Sequence, residues 1–146
     1  RTRIRAQGRR EPSMETLEVR TSRREELVEI TGQVREAVRR AAVDQGVAHL
    51  WSFHTTCGLT VNEGADPDVA RDIAWKLGDL VPHDEAAYRH AEGNSDSHVK
   101  TSLVNPGATL LVSDGDIVLG RWQAVFLAEF DGPRVRKVGV QVVAAG

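Results

Sequence analysis

Hydrophobic and polar residues alternate over 15–21, where Leu17 and Val19 stand between charged neighbours, and a short apolar group, Leu27, Val28 and Ile30, follows the charged connection 23–26. Period-two alternation predicts two short strands. From Thr31 the period changes. Val34, Ala37, Val38, Ala41 and Ala42 recur at steps of three and four, with arginines and Glu36 opposite, which predicts an amphipathic helix capped by Thr31 and stopped near Gly46. Residues 47–53 and 58–61 read as two further strands, with His54-Thr55-Thr56-Cys57 at their junction. Asp66 before Pro67 marks a second helix start, because aspartate caps free amides and proline fits the first turn. Val69, Ile73, Leu77 and Leu80 supply its apolar stripe, and Pro82 ends it.

Residues 83–98 are short of aliphatic side chains and rich in His, Asp, Glu, Asn, Ser and Gly, so they read as a functional or disordered loop that cannot pack as core. The last third holds three or four β-rich runs punctuated by Asp114-Gly115 and Asp131-Gly132-Pro133, which predicts an antiparallel meander. The order of elements predicts an α+β fold, mainly antiparallel sheet with two main helices, as one domain over 14–146. The apolar run 117–130 carries more hydrophobic surface than one side of a sheet in a small monomer hides, which predicts self-association.

Composition narrows the class. With 146 residues and one cysteine, Cys57, the chain builds its core without disulfides, and a cytoplasmic location is expected. No stretch approaches the ~20 apolar residues of a membrane helix, and residues 1–10 lack the apolar run that a secretory signal carries, so no membrane or secretory targeting is expected. The formal charge of −2 is uneven: residues 1–13 hold five arginines against Glu11, a local +4, which leaves −6 for the rest. This arm has no aromatic residue to stack on bases, so it is expected to be a disordered basic terminus and not a nucleic-acid contact. Met14 opens the first strand-like segment and fits a translation start, with the arm as an upstream extension.

The chemistry concentrates between 54 and 100. His54, His90 and His98 are the candidate metal ligands, because neutral imidazoles select zinc-like ions and three of them leave a coordination position open. Their spacing matches no standard zinc finger, and His49 and His83 illustrate the ordinary surface or core histidine. Glu63 and Glu92 are the candidate general bases. Asp66 and Asp96 lie nearby, Asp66 doubling as a helix cap. Arg89 and Lys100 flank the histidines and are candidates for binding an anionic substrate. Cys57 reads as a small buried residue more readily than as a nucleophile. Phosphate-loop, dinucleotide and Ser-nucleophile motifs do not occur.

Three separated motifs carry a resemblance: HTTCGLTVNEGADPDV at 54–69, YRHAEGNSDSHVK at 88–100 and LGRWQ at 119–123. Together they resemble the YjbQ-type family, described as secondary thiamine-phosphate synthases, over nearly all of 14–143. The resemblance implies a homotrimer with a metal site near the subunit boundary, ligated by residues corresponding to His54, His90 and His98. It implies joining of hydroxymethylpyrimidine diphosphate to thiazole phosphate with loss of pyrophosphate, with Arg121 and Gln123 of the third motif as further substrate-binding candidates. A zinc-like divalent ion suits imidazoles, whereas magnesium, the usual partner of a diphosphate, prefers oxygen. The alternatives are a metal-dependent hydrolase using a metal-bound water and a trimeric metal- or ligand-binding protein without turnover. The sequence departs from the family where Cys57 replaces a small residue such as alanine and where Arg121 replaces threonine.

Overall fold

The computed structural model describes residues 14–146, and the basic arm lies outside the described residues. The elements follow as β1 (Met14–Arg20), β2 (Glu26–Glu29), α1 (Thr31–Ala41), β3 (Gly46–Ser52), β4 (Cys57–Glu63), α2 (Pro67–Leu80), α3 (Ser95–Val104), β5 (Gly107–Ser113), β6 (Asp116–Ile117), β7 (Gln123–Glu129) and β8 (Val135–Ala144). All strand pairs are antiparallel, in a five-stranded sheet ordered β1-β8-β3-β5-β6 and a three-stranded sheet ordered β2-β7-β4. The α+β class is as the sequence predicts. Among the described residues no helix is long and apolar enough to cross a membrane.

The core forms where inward residues of the first sheet, among them Leu17, Leu50 and Val140, meet Leu59, Val125 and Leu127 of the second and Val34 and Val38 of α1. Burial of these side chains is the main favourable term in folding. The expected meander is corrected: β5 and β6 form a hairpin at Asp114-Gly115, but β7 crosses to the centre of the second sheet and β8 returns to the first. The apolar run 117–130 is divided: Val125, Phe126, Leu127 and Phe130 are buried, at or just beyond the central strand of the second sheet, whereas Val118 and Trp122 stay 49% and 56% exposed. Further exposed apolar surface lies on the outer face of the first sheet, where Met14, Trp51 and Leu111 are 56%, 52% and 63% exposed.

Asp66 caps α2 as expected, its Oδ1 accepting the Asp68 amide at 2.9 Å. Thr31 does not cap α1. Ile30 occupies the cap position, and the Thr31 hydroxyl accepts the Val125 amide at 2.9 Å, tying α1 to β7. The larger correction is α3, four of whose ten residues fall in the segment expected to be loop. It turns polar Asp96, Ser97, Lys100 and Thr101 inward and leaves Val99 and Leu103 exposed, so it carries no apolar stripe for a period-based reading to detect.

Candidate functional site

Three passages of the chain between the sheets, at 21–25, 53–56 and 130–134, lie side by side. Thr21 N–H donates to the Arg134 carbonyl at 2.9 Å, Gly132 N–H to Arg24 at 3.0 Å and Phe130 N–H to Thr56 at 3.2 Å. Gly132 permits this approach, since a Cβ there would sit 2.3 Å from the Arg23 carbonyl oxygen. The first turn of α3 closes the remaining side: Asn94 Nδ2 donates to Asp131 Oδ2 at 2.8 Å and Ser97 Oγ to the Phe130 carbonyl at 2.6 Å. Between them lies a cavity of about 290 Å³ lined by Phe53, His54, Thr55, Thr56, Glu92, Asn94, His98, Asp131, Arg134 and Arg136.

The cavity stands on a buried charge network. Arg136 Nε donates to Glu129 Oε1 at 2.9 Å and its Nη2 to Thr56 Oγ1 at 2.8 Å, while the Thr21 hydroxyl donates to Glu129 at 2.7 Å. Burial by itself would lower the Arg136 pKa, but the Glu129 carboxylate raises it overall, so the guanidinium is a fixed charge. Arg134 on the rim donates to Asp131 Oδ2 at 2.8 Å. Asn94 leaves its Oδ1 as a buried acceptor with no partner.

The histidines differ in what their nitrogens do. His98 lines the cavity, and the His90 ring meets it edge-on with centroids 5.5 Å apart. His90 Nε2 is 3.8 Å from a Glu92 carboxylate oxygen. His54 Nε2 accepts the Lys137 amide at 2.8 Å. Burial, and then the Arg136 charge, hold the His54 pKa below the ordinary imidazole value, so this ring is neutral at neutral pH.

A neutral imidazole has one N–H and one lone pair. In His54 the lone pair faces Lys137, which leaves none for a metal. His90 and His98 are close enough to share an ion, but among the described residues no group of three or more His, Cys, Asp or Glu is placed to hold one. As arranged, the three histidines do not fit a three-imidazole centre.

The structure brings His54, His90, His98 and Glu92 together and leaves other candidates elsewhere. Glu63 is paired with Gln123 at the far end of β4, six residues and roughly 20 Å of strand from Cys57. It lines a separate cavity against α2 with Glu29 and Asp66. Gln123 Oε1 accepts the Gly120 amide at 2.8 Å, and the Arg121 guanidinium lies 4.9 Å over the exposed Trp122 ring. Lys100 is fully buried, ion-paired with Asp96 at 2.8 Å and with Glu25. Arg89 is exposed beside His90. Cys57 is fully buried and its thiol is pushed up by burial, which argues against a thiolate nucleophile. His49 contacts Thr109, and His83 contacts the Gly93 carbonyl.

The sequence reading missed Asn94, Asp131, Arg134 and Arg136. One signal was available: Arg136 falls on the inward parity of a strand whose next inward residues are Val138 and Val140. A charge in such a stripe requires a buried partner.

Comparison with known proteins places this geometry among relatives. The profile of the family described as UPF0047 protein YjbQ-like matches residues 15–145. A UPF0047 protein of Methanocaldococcus jannaschii is 44% identical over 126 residues, 86% of this chain and 91% of that protein. The UPF0047 protein YugU of Bacillus subtilis is 35% identical over 130 residues, 89% and 98% of the two chains. Among solved structures, a conserved hypothetical protein of Thermus thermophilus superposes with TM-score 0.82 at 48% identity, covering 88% of this chain and 99% of that one. A YjbQ/UPF0047 family protein of Clostridium acetobutylicum superposes with TM-score 0.86 at 40% identity, with 88% and 99% coverage. These names state no activity, so the reaction must be argued from the residues.

Proposed function

The chain belongs to the YjbQ-like UPF0047 family, and on that premise we propose that the crossover cavity binds a small phosphorylated molecule, with His98 and its neighbour His90 handling protons. The observation that carries this reading is the convergence of His54, Glu92, His98 and Arg134 on one cavity. Arg134 offers a cation at the rim for phosphate charge, and His98 offers an imidazole, a side chain that can both give and take a proton in general acid–base work.

The specific reaction we propose is the one the resemblance implies. The thiazole nitrogen attacks the methylene carbon of hydroxymethylpyrimidine diphosphate, the C–O bond to pyrophosphate breaks, and its electron pair leaves with pyrophosphate. His98 then faces the departing oxygen as a proton donor, and Arg134 offsets its developing charge. Purified protein given both substrates is expected to form thiamine phosphate and pyrophosphate in equal amounts. Absence of both products would exclude the synthase reading. Phosphate or pyrophosphate released without thiamine phosphate would favour hydrolysis, for which the Glu92–His90 pair supplies a base for water.

A cavity of about 290 Å³ sits at the small end of ligand pockets, tight for two substrates. We propose that copies of the chain complete it as a homotrimer, burying the outer face of the five-stranded sheet. Trp51 lies there against Gly107 and Phe53 against Gly139, and Phe53 also lines the cavity. Light scattering at micromolar concentration is expected to give three times the chain mass, and Trp51→Lys to shift it toward the monomer. A folded wild-type monomer would rule this out.

A further inference from the structure

We infer that His54 serves the cavity as a neutral hydrogen-bond donor, through Nδ1–H, to a phosphoryl or carboxyl oxygen of the ligand, and not as a metal ligand. The inference rests on the reading of the cavity as a phosphorylated-ligand site and assigns the atom that contacts the oxyanion.

The β3–β8 ladder ends at the pair Ser52–Val138, and one residue on, Phe53 N–H donates to the Lys137 carbonyl at 3.3 Å. The Lys137 amide donates to His54 Nε2 at 2.8 Å, so the imidazole extends the ladder beyond its last pair. His54 N–H in turn donates to the Ser52 hydroxyl at 3.3 Å, which holds the residue from its backbone side. An N–H can be accepted only by an unprotonated ring nitrogen, so the proton must sit on Nδ1. Nδ1 makes no hydrogen bond among the described residues, and it is the ring's remaining polar atom in a cavity that His54 lines.

A fixed N–H in that position is a preorganised donor, needing no reorganisation when an anion arrives. Arg134, with one face of its guanidinium committed to Asp131, stands across the same cavity and adds charge. Metal ligation would require the opposite: loss of the Nδ1 proton or release of the Lys137 amide.

Long-range ¹H–¹⁵N correlation spectra of the full chain read the tautomer directly, with inorganic pyrophosphate and zinc as the added probes. The expected result is the Nδ1-protonated form in the free protein, retained with equimolar zinc, and a shift of the Nδ1 resonance as pyrophosphate saturates. His54→Gln places its side-chain amide near the Nε2 position and His54→Asn near the Nδ1 position. Gln is therefore expected to weaken pyrophosphate binding about tenfold, the scale of one hydrogen bond, while Asn retains most of the affinity. An Nε2-protonated form with intact pyrophosphate binding refutes the donor assignment alone. So does loss of the Nδ1 proton on zinc addition. The Nδ1-protonated form with no pyrophosphate binding refutes both the assignment and the phosphorylated-ligand reading.

Discussion

Replacing Lys100 with methionine is expected to lower the unfolding free energy by about 3 kcal/mol, the lower end of what removing one member of a buried ion pair costs. Lys100 and Asp96 side chains are both fully buried one helical turn apart on α3, and Glu25 meets the same ammonium. Methionine fills the space of the lysine stem but leaves Asp96 a buried anion with a single cation, the Arg24 guanidinium, whose two nitrogens reach it at 3.0 and 3.1 Å. That remaining bidentate pair is why the lower end applies. At this chain length the loss corresponds to a fall in Tm on the order of 10 °C. Burial by itself would raise the Asp96 pKa, but hydrogen bonds from Arg24 and Lys100 outweigh it and hold the carboxyl below the ordinary range. A carboxylate depressed on folding stabilises above its unfolded pKa, near 3.9, and that stability is lost as pH falls through the folded value. Wild-type stability should therefore decline on acidification below about pH 4, and Asp96→Asn should flatten part of that decline. Denaturant unfolding followed by circular dichroism across pH measures both. A Lys100→Met variant within 1 kcal/mol of wild type would mean that the pair is not desolvated.

His98→Ala is expected to cut formation of thiamine phosphate by a factor on the order of 10² to 10⁴, the range for loss of a general acid or base. His98 lines the cavity from the second turn of α3, and His90 meets it edge-on at 5.5 Å. Its side chain makes no hydrogen bond among the described residues and is only partly buried, so truncation should leave the fold and its assembly in place. That separates this variant from Lys100→Met, which acts through stability. Glu92→Gln should fall between His98→Ala and wild type. Its carboxylate sits 3.8 Å from His90 and acts on the proton path one step removed. Initial rates with both substrates, on protein checked by light scattering, give the comparison. Unchanged rates in both variants would assign the activity to a contaminant.

Much of the fold is legible in the chain because its causes are local. Leu17 and Val19 alternate, Val34, Ala37 and Val38 recur at helical steps, and Asp66 precedes Pro67; each pattern acts within a few residues, and the structure places β1, α1 and α2 there. The convergence of His54, His98 and Glu92 on one cavity was legible through the resemblance of motifs, whereas spacing alone was uninformative.

Sequence by itself determined the antiparallel α+β class, the main helices and strands, and the residue types of the site. Tertiary structure alone decided three things. It made α3 a helix with a charged inner face, because the partners that make burial of Lys100 and Asp96 tolerable, Arg24 and Glu25, lie more than 70 residues earlier in the chain. It joined Arg134 and Arg136 to His54 and sent Glu63 and Gln123 to the opposite end of the second sheet, because a strand's two ends belong to different neighbourhoods once it is paired. It also set the His54 tautomer. Which ring nitrogen accepts the Lys137 amide depends on a contact 83 residues away, fixed only when β3 and β8 lie side by side.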